Sequence, residues 1–149
     1  MIEILKLSEG HPVKNYETGD VIIEQGTKPD TMLVLINGEV EVLRDNVRVA
    51  RAWQAGDVFG EMSTLLSVNH TATVRALKPC TFAVIENPRE FLSSSAAASL
   101  HVAELLAQRL DALNKYLIDV KGQYEGHDHL GMVDSVLETL MHRPPRRKP

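Results

Sequence analysis

The residues best suited to chemistry lie between Asp57 and Ala76. The stretch reads Asp-Val-Phe-Gly-Glu-Met-Ser-Thr-Leu-Leu-Ser-Val-Asn-His-Thr-Ala-Thr-Val-Arg-Ala. Gly60 has no Cβ, so its backbone can approach a bound group closely. Glu61 offers a carboxylate to hydroxyl groups, or accepts backbone N–H bonds within a tight turn. The short apolar turn Met62–Leu66 presents free N–H groups at its start, which suit an anion. One carboxylate for sugar hydroxyls beside an anion-cradling turn is the chemistry of a nucleotide pocket. Other candidates are poorer. His127-Asp128-His129 has two histidines without further placed ligands and a glycine at Gly126 before it, so it reads as solvated rather than as a metal site. No nucleophile triad is visible.

The elements that must position this stretch follow from turn signals and periodicity. Short β-rich runs alternate with turn residues from 12 to 86. They are Val13–Tyr16, Val21–Gln25, Met32–Ile36, Glu39–Leu43, Val47–Trp53, Val58–Phe59, Ala72–Ala76 and Thr81–Ile85. Asn37-Gly38 predicts a hairpin between the third and fourth runs, and Asp45-Asn46 a second tight turn. Strands this short, evenly spaced and without crossover helices, predict a roll, barrel or sandwich. Cys80 reads as buried packing, and Trp53 packs beside the roll or shields a pocket.

After Ile85 the pattern becomes helical. Asn87 followed by Pro88 predicts an N-cap with proline in the first turn, opening a short helix through Phe91 and Leu92. A long helix follows from about Ala97 to Tyr124. Ala103, Leu106, Leu110, Leu113, Leu117 and Val120 recur in steps of 3, 4, 3, 4 and 3, a heptad seam. Leu100, Val102, Leu105 and Ile118 lie partly off it. The helix either packs on its own sheet alone, or covers the sheet with one face while the seam meets a partner; the latter predicts a homodimer. Residues 125–149 read as a short helical extension, with Met132, Val136 and Leu140 on one side, and a basic proline-rich tail.

These residues resemble the cyclic nucleotide-binding domain of the catabolite-activator and protein kinase A regulatory families. The resemblance spans roughly residues 12–122. It rests on the Gly26 loop, Asn37-Gly38-Glu39-Val40, Gly56-Asp57-Val58-Phe59-Gly60-Glu61 and Thr71-Ala72-Thr73-Val74-Arg75-Ala76. It implies an α+β, mainly β fold: an eight-stranded antiparallel β-roll with short helices and a long C-terminal helix, all within residues 1–124. The implied ligand is cAMP or cGMP. Glu61 would bind the ribose 2′-hydroxyl and Gly60 would make a close backbone contact. Met62 and Ser63 belong to the same implied site. So do Thr71 and Ala72, at the phosphate. Asn114, beside Leu113 on the long helix, falls where purine contacts arise.

One position departs from the family. The residue two before Ala72, which the resemblance implies is normally a phosphate-binding arginine, is His70. Arginine brings a permanent charge and a planar fork; histidine at pH 7 is largely neutral with one donor. Losing a buried charge pair costs about 2–5 kcal/mol, roughly 30-fold to several-thousand-fold in affinity. Arg75, five residues later, reads as a surface or sheet-edge charge. His70 then reads as a neutral loop residue, or, when protonated, as a pH-dependent anion contact. The alternative to a weakened nucleotide sensor is a dimeric interaction module that no longer binds cAMP or cGMP.

Composition bounds the rest. The chain has 149 residues, net charge −4, 44% apolar and 24% charged residues, the balance of a soluble domain. No apolar run nears the roughly 20 residues of a membrane span, and no signal peptide opens the chain. The single Cys80 suits a reducing compartment, so a cytoplasmic location is expected. Arg143 to Pro149 carries four of the 16 basic residues; the acidic remainder repels phosphate backbones. Some 25 residues after Tyr124 are too few for a helix-turn-helix domain, so direct DNA binding is not expected and an unknown protein partner acts in trans. A cupin-type metal enzyme needs clustered histidines, and residues 11–50 hold only His11. No enzyme activity, metal or resident cofactor is expected.

Overall fold

The computed structural model describes residues 2–123 together with Ser135, Val136 and Glu138. The chain divides into two compact units, Met1–Glu104 and Leu105–Pro149.

The first unit holds eight antiparallel strands in two four-stranded sheets. They are β1 (Val13–Tyr16), β2 (Val21–Ile23), β3 (Met32–Asn37), β4 (Val40–Arg44), β5 (Val47–Ala52), β6 (Val58–Phe59), β7 (Thr73–Ala76) and β8 (Cys80–Ile85). One sheet runs β1-β8-β3-β6 and the other β2-β7-β4-β5. Leu33, Leu35, Phe59 and Phe82 meet Ile23, Val40 and Val74 between them. Fully buried Phe82 stacks edge-on against Tyr16 and Phe59, with centroids 5.8 and 5.9 Å apart. Burying such a ring contributes about 1.5–3 kcal/mol. Phe59 thereby anchors the start of the cassette.

The helices are α1 (Ile2–Leu7), α2 (Glu61–Leu66), α3 (Pro88–Ser94) and α4 (Ala96–Gln123). The expected strand set and the β-roll are present; strand ends differ by one or two residues. One local expectation is corrected. Asn37-Gly38 does not close a hairpin: β3 and β4 lie in different sheets, and the turn carries the chain between them. Gly38 has φ +122, and a Cβ there would stand 2.6 Å from Cys80 Sγ and 2.7 Å from the Pro79 carbonyl. This glycine is required by a close approach, which dipeptide statistics do not separate from a hairpin signal. Asp45-Asn46 is a true tight hairpin, with both residues at positive φ joining paired β4 and β5. Asn87 occupies the N-cap of α3 but makes no side-chain cap bond, because its backbone is not in the required conformation. Arg75 is exposed but not at a sheet edge, since β7 lies between β2 and β4. Its guanidinium pairs with Glu41. Helix α1 was not foreseen; it packs on β3 with Ile4 fully buried.

Within the first unit, the opening turns of α4 bury Ala98 and Val102, whereas Leu100 is exposed. His101 Nε2–H donates to the Gly56 carbonyl at 2.9 Å, next to the cassette. In the second unit, α4 leaves Leu110, Leu113, Tyr116 and Ile118 exposed, with Leu106, Leu117 and Val120 half-buried. His127-Asp128-His129 and the basic tail lie outside the described residues; of the expected short helix only Ser135, Val136 and Glu138 are described, and these are helical.

Candidate functional site

The cassette begins where β6 ends. β6 pairs with β3 through Leu33↔Phe59 and Val34↔Val58. Gly60 follows with φ +87, the left-handed conformation, and serves as N-cap of α2. A Cβ on Gly60 would meet the Thr31 carbonyl at 3.0 Å and His70 Cε1 at 3.5 Å. Glycine is needed there for both conformation and space. Glu61 and Ser63 are buried, at 5% and 2% exposure, whereas Met62 is 44% exposed. Ser67 closes α2 in the left-handed conformation.

His70 is fixed by its backbone. Its N–H donates to the Thr27 carbonyl at 2.9 Å, and its carbonyl accepts from Gly26 N–H at 2.8 Å. The Gly26 loop is thus latched to the cassette. Thr73 Oγ1 accepts from Gln25 N–H at 3.1 Å and extends the latch into β7. Thr71 and Ala72 are half-buried between these two anchors.

The His70 ring is also engaged. Ser63 Oγ stands 2.9 Å from His70 Nδ1 and donates to the Gly60 carbonyl at 3.1 Å. A hydroxyl has one proton. With that proton on Gly60, the serine oxygen accepts from Nδ1–H, and neutral His70 keeps Nε2 as a lone-pair acceptor. In this tautomer the ring offers an anion no N–H; protonation of Nε2 supplies one. Burial pushes the His70 pKa below its ordinary 6.5, against the opposing pull of the Asp30 carboxylate. Neutral His70 is therefore favoured at pH 7.

A groove of about 490 Å³ opens beside Ser63, between the Lys28–Asp30 loop, the end of α2 and residues 86–90. It takes in Ser63 but not Gly60, Glu61 or His70, so it adjoins the cassette rather than forming its ligand face. Lys28 and Arg89 there face Asp30, Glu86 and Glu90, which leaves no net attraction for an anion. Arg89 is also occupied, donating to the Thr64 carbonyl at 3.3 Å.

Gly60, Ser63 and His70 are therefore brought together, with buried Glu61 next in the chain. Met62 presents its side chain to solvent. Asn114 belongs to the second unit, where its Oδ1 is shielded and has no hydrogen-bond partner. Sequence reasoning did not find Asp30 or Thr27 as neighbours of His70. Only the folding of the Gly26 loop onto the cassette brings them there. Among the described residues no cluster of histidine, cysteine or carboxylate side chains could hold a metal ion. No helix among them is long and apolar enough to cross a membrane.

A β-roll of this topology carrying a Gly-Glu cassette before its penultimate strand defines a nucleotide-binding type of domain. Residues 13–93 match the family model of the cyclic nucleotide-binding domain, and the chain belongs to that family. It is 34% identical over 67 residues to a cAMP-dependent protein kinase regulatory subunit of Yarrowia lipolytica, covering 45% of this chain and 18% of the relative. It is 33% identical over 69 residues to an ABC transporter ATP-binding protein of Mycobacterium bovis, covering 44% and 21%. The chain thus aligns with about a fifth of these relatives. Among solved structures, PKAR CBD2 bound to Sp-2Cl-cAMPS superposes with TM-score 0.60 at 25% identity, over 80% of this chain and 78% of that one. The regulatory subunit of a cAMP-independent protein kinase A from Trypanosoma brucei shares the fold, with TM-score 0.59 at 24% identity over 72% and 39%.

Proposed function

We propose that this chain is a non-enzymatic, cytosolic regulatory domain that binds cAMP or cGMP weakly at neutral pH and acts through a partner protein. The observation that carries the reading is the hydrogen bond of His70 to Ser63, with burial lowering the ring's pKa, at the position the resemblance gives to a phosphate-binding arginine. On this reading Gly60 and Glu61 serve the sugar, and the phosphate side lacks a fixed charge. On this reading Thr71 and Ala72 lie at the phosphate, as the family resemblance implies. The exposed leucines of α4 support a homodimer built on the heptad seam. Ser63, by satisfying His70 without a ligand, also favours a second reading: an interaction module that has lost the nucleotide.

Calorimetric titration of cAMP and cGMP into wild type and His70→Arg at pH 7.5 separates these. Weak binding by wild type and a gain of roughly 30-fold or more in His70→Arg is expected. Low-micromolar binding by wild type contradicts the weakened site. Silence from both proteins gives the chain to the second reading.

A further inference from the structure

Strand β5 is an edge strand: it pairs with β4 on one side and with nothing on the other among the described residues. Val47 and Val49 are 65% and 60% exposed, and Trp53, just beyond the strand, 61%. An open edge is a template for another chain, and proteins ordinarily guard it with charged side chains or bulges. A register shift opposite Val42 and Leu43 provides a bulge here, but the two arginines of β5 do not stand guard. They lie back across the sheet. Arg48 Nε donates to Glu41 Oε2 at 2.8 Å, and Arg51 donates to Glu39 Oε1. Arg75 joins Arg48 on Glu41, and Lys78 joins Arg51 on Glu39 at 3.3 Å.

Each cluster sets two cations around one carboxylate. Glu39 and Glu41 are buried at 7% and 3% exposure, while all four cationic side chains are about half exposed or more. The face therefore shows net +2 on a chain of net −4. Arg51 spends one of its five N–H groups on Glu39, and Lys78 one of three. At one end of the face lies a notch of about 440 Å³, lined by Asn37, Gly38, Glu39, Arg51, Trp53 and Lys78. An exposed indole beside two cations with spare donors suits an apolar side chain flanked by carboxylates.

We propose that the β5 edge and this notch dock an extended acidic segment of a partner protein, added as a strand beside β5. Its backbone pairs with β5, its carboxylates meet Arg51 and Lys78, and an apolar residue covers Trp53. A second copy is a poorer occupant, because edge-to-edge pairing of two β5 strands brings like-charged faces together. The acidic remainder of the chain likewise disfavours nucleic acid.

The only tryptophan, Trp53, is the reporter. The probe is the capped peptide Glu-Val-Glu-Leu-Glu-Val-Glu, titrated into the full chain and followed by Trp53 emission and backbone amide shifts. The expected result is a saturable blue shift, with amide shifts concentrated on residues 47–53. Affinity should fall at least about tenfold between roughly 50 and 500 mM NaCl. Trp53→Ala, an exposed position that leaves the fold intact, should weaken binding about tenfold by amide shifts. No saturation at about 1 mM peptide, an equal response to the lysine version, or shifts away from β5 overturns the proposal. So does a blue shift that grows with protein concentration alone, which gives the edge to a second copy. A comparable response to oligothymidylate, which gives it to nucleic acid, overturns it as well.

Discussion

At His70 the proposed function turns on the protonation of one ring. The ring is buried enough to stay neutral and is hydrogen-bonded on its Nδ1 side. Because its folded pKa lies below 6.5, neutral His70 contributes stability that is full above pH 6.5 and is lost as pH falls through the folded value. His70→Gln should therefore flatten the fall in urea midpoint between pH 7.5 and 5.5, while changing little at pH 7.5. Ser63→Ala removes the acceptor for Nδ1–H and should cost about 1 kcal/mol, read from the same urea curves. The reading of His70 at the family's arginine position rests on its spacing from Phe59 alone. The Ser63 bond and the Asp30 neighbourhood were not. Seven and forty residues of separation respectively carry no local pattern that links them to His70.

At the scale of elements, the cassette hangs between β6 and β7, and both strands are fixed by partners far along the chain. Gly38 shows how tightly the sheets are joined. Gly38→Ala would push a methyl into the Pro79 carbonyl and Cys80. It should destabilise by at least about 2 kcal/mol, measured by chemical denaturation. The outer face of β4 gives a second expectation. Hydrogen bonds from Arg75 and Arg48 hold the Glu41 carboxyl below its ordinary 4.5, against its burial, and Arg51 and Lys78 do the same for Glu39. Lowered carboxylate pKa values give stability that is present above pH 4.5 and lost as pH falls below it. Glu41→Gln should make thermal stability less sensitive to pH below 4.5 than in wild type. The eight strands were legible because alternation and turn residues repeat at short range. Their allocation to two sheets was not: Asn37-Gly38 reads as a hairpin in any chain, and only the close approach of Cys80 turns it into a crossing.

For the whole molecule, the proposed homodimer rests on the apolar residues of the long helix. Leu110 and Leu113 are 42% and 44% exposed on α4. If the seam pairs two chains, the double substitution Leu110→Glu and Leu113→Glu should convert a dimer into a monomer by light scattering. A wild-type mass that stays monomeric at all concentrations contradicts the homodimer. The 3-and-4 spacing of its apolar residues made helix α4 itself legible in the sequence. Helix α1 was missed because six residues are too few to show a period.

The central claim is that His70 makes nucleotide binding weak and proton-dependent. Its most direct test is the affinity of cAMP for wild type and His70→Arg at pH 6, 7 and 8. Bound phosphate needs a proton on Nε2, so wild-type affinity should rise by up to about tenfold per pH unit as pH falls. His70→Arg should bind more tightly and show no such slope. Tight wild-type binding that is flat across this range would contradict the account.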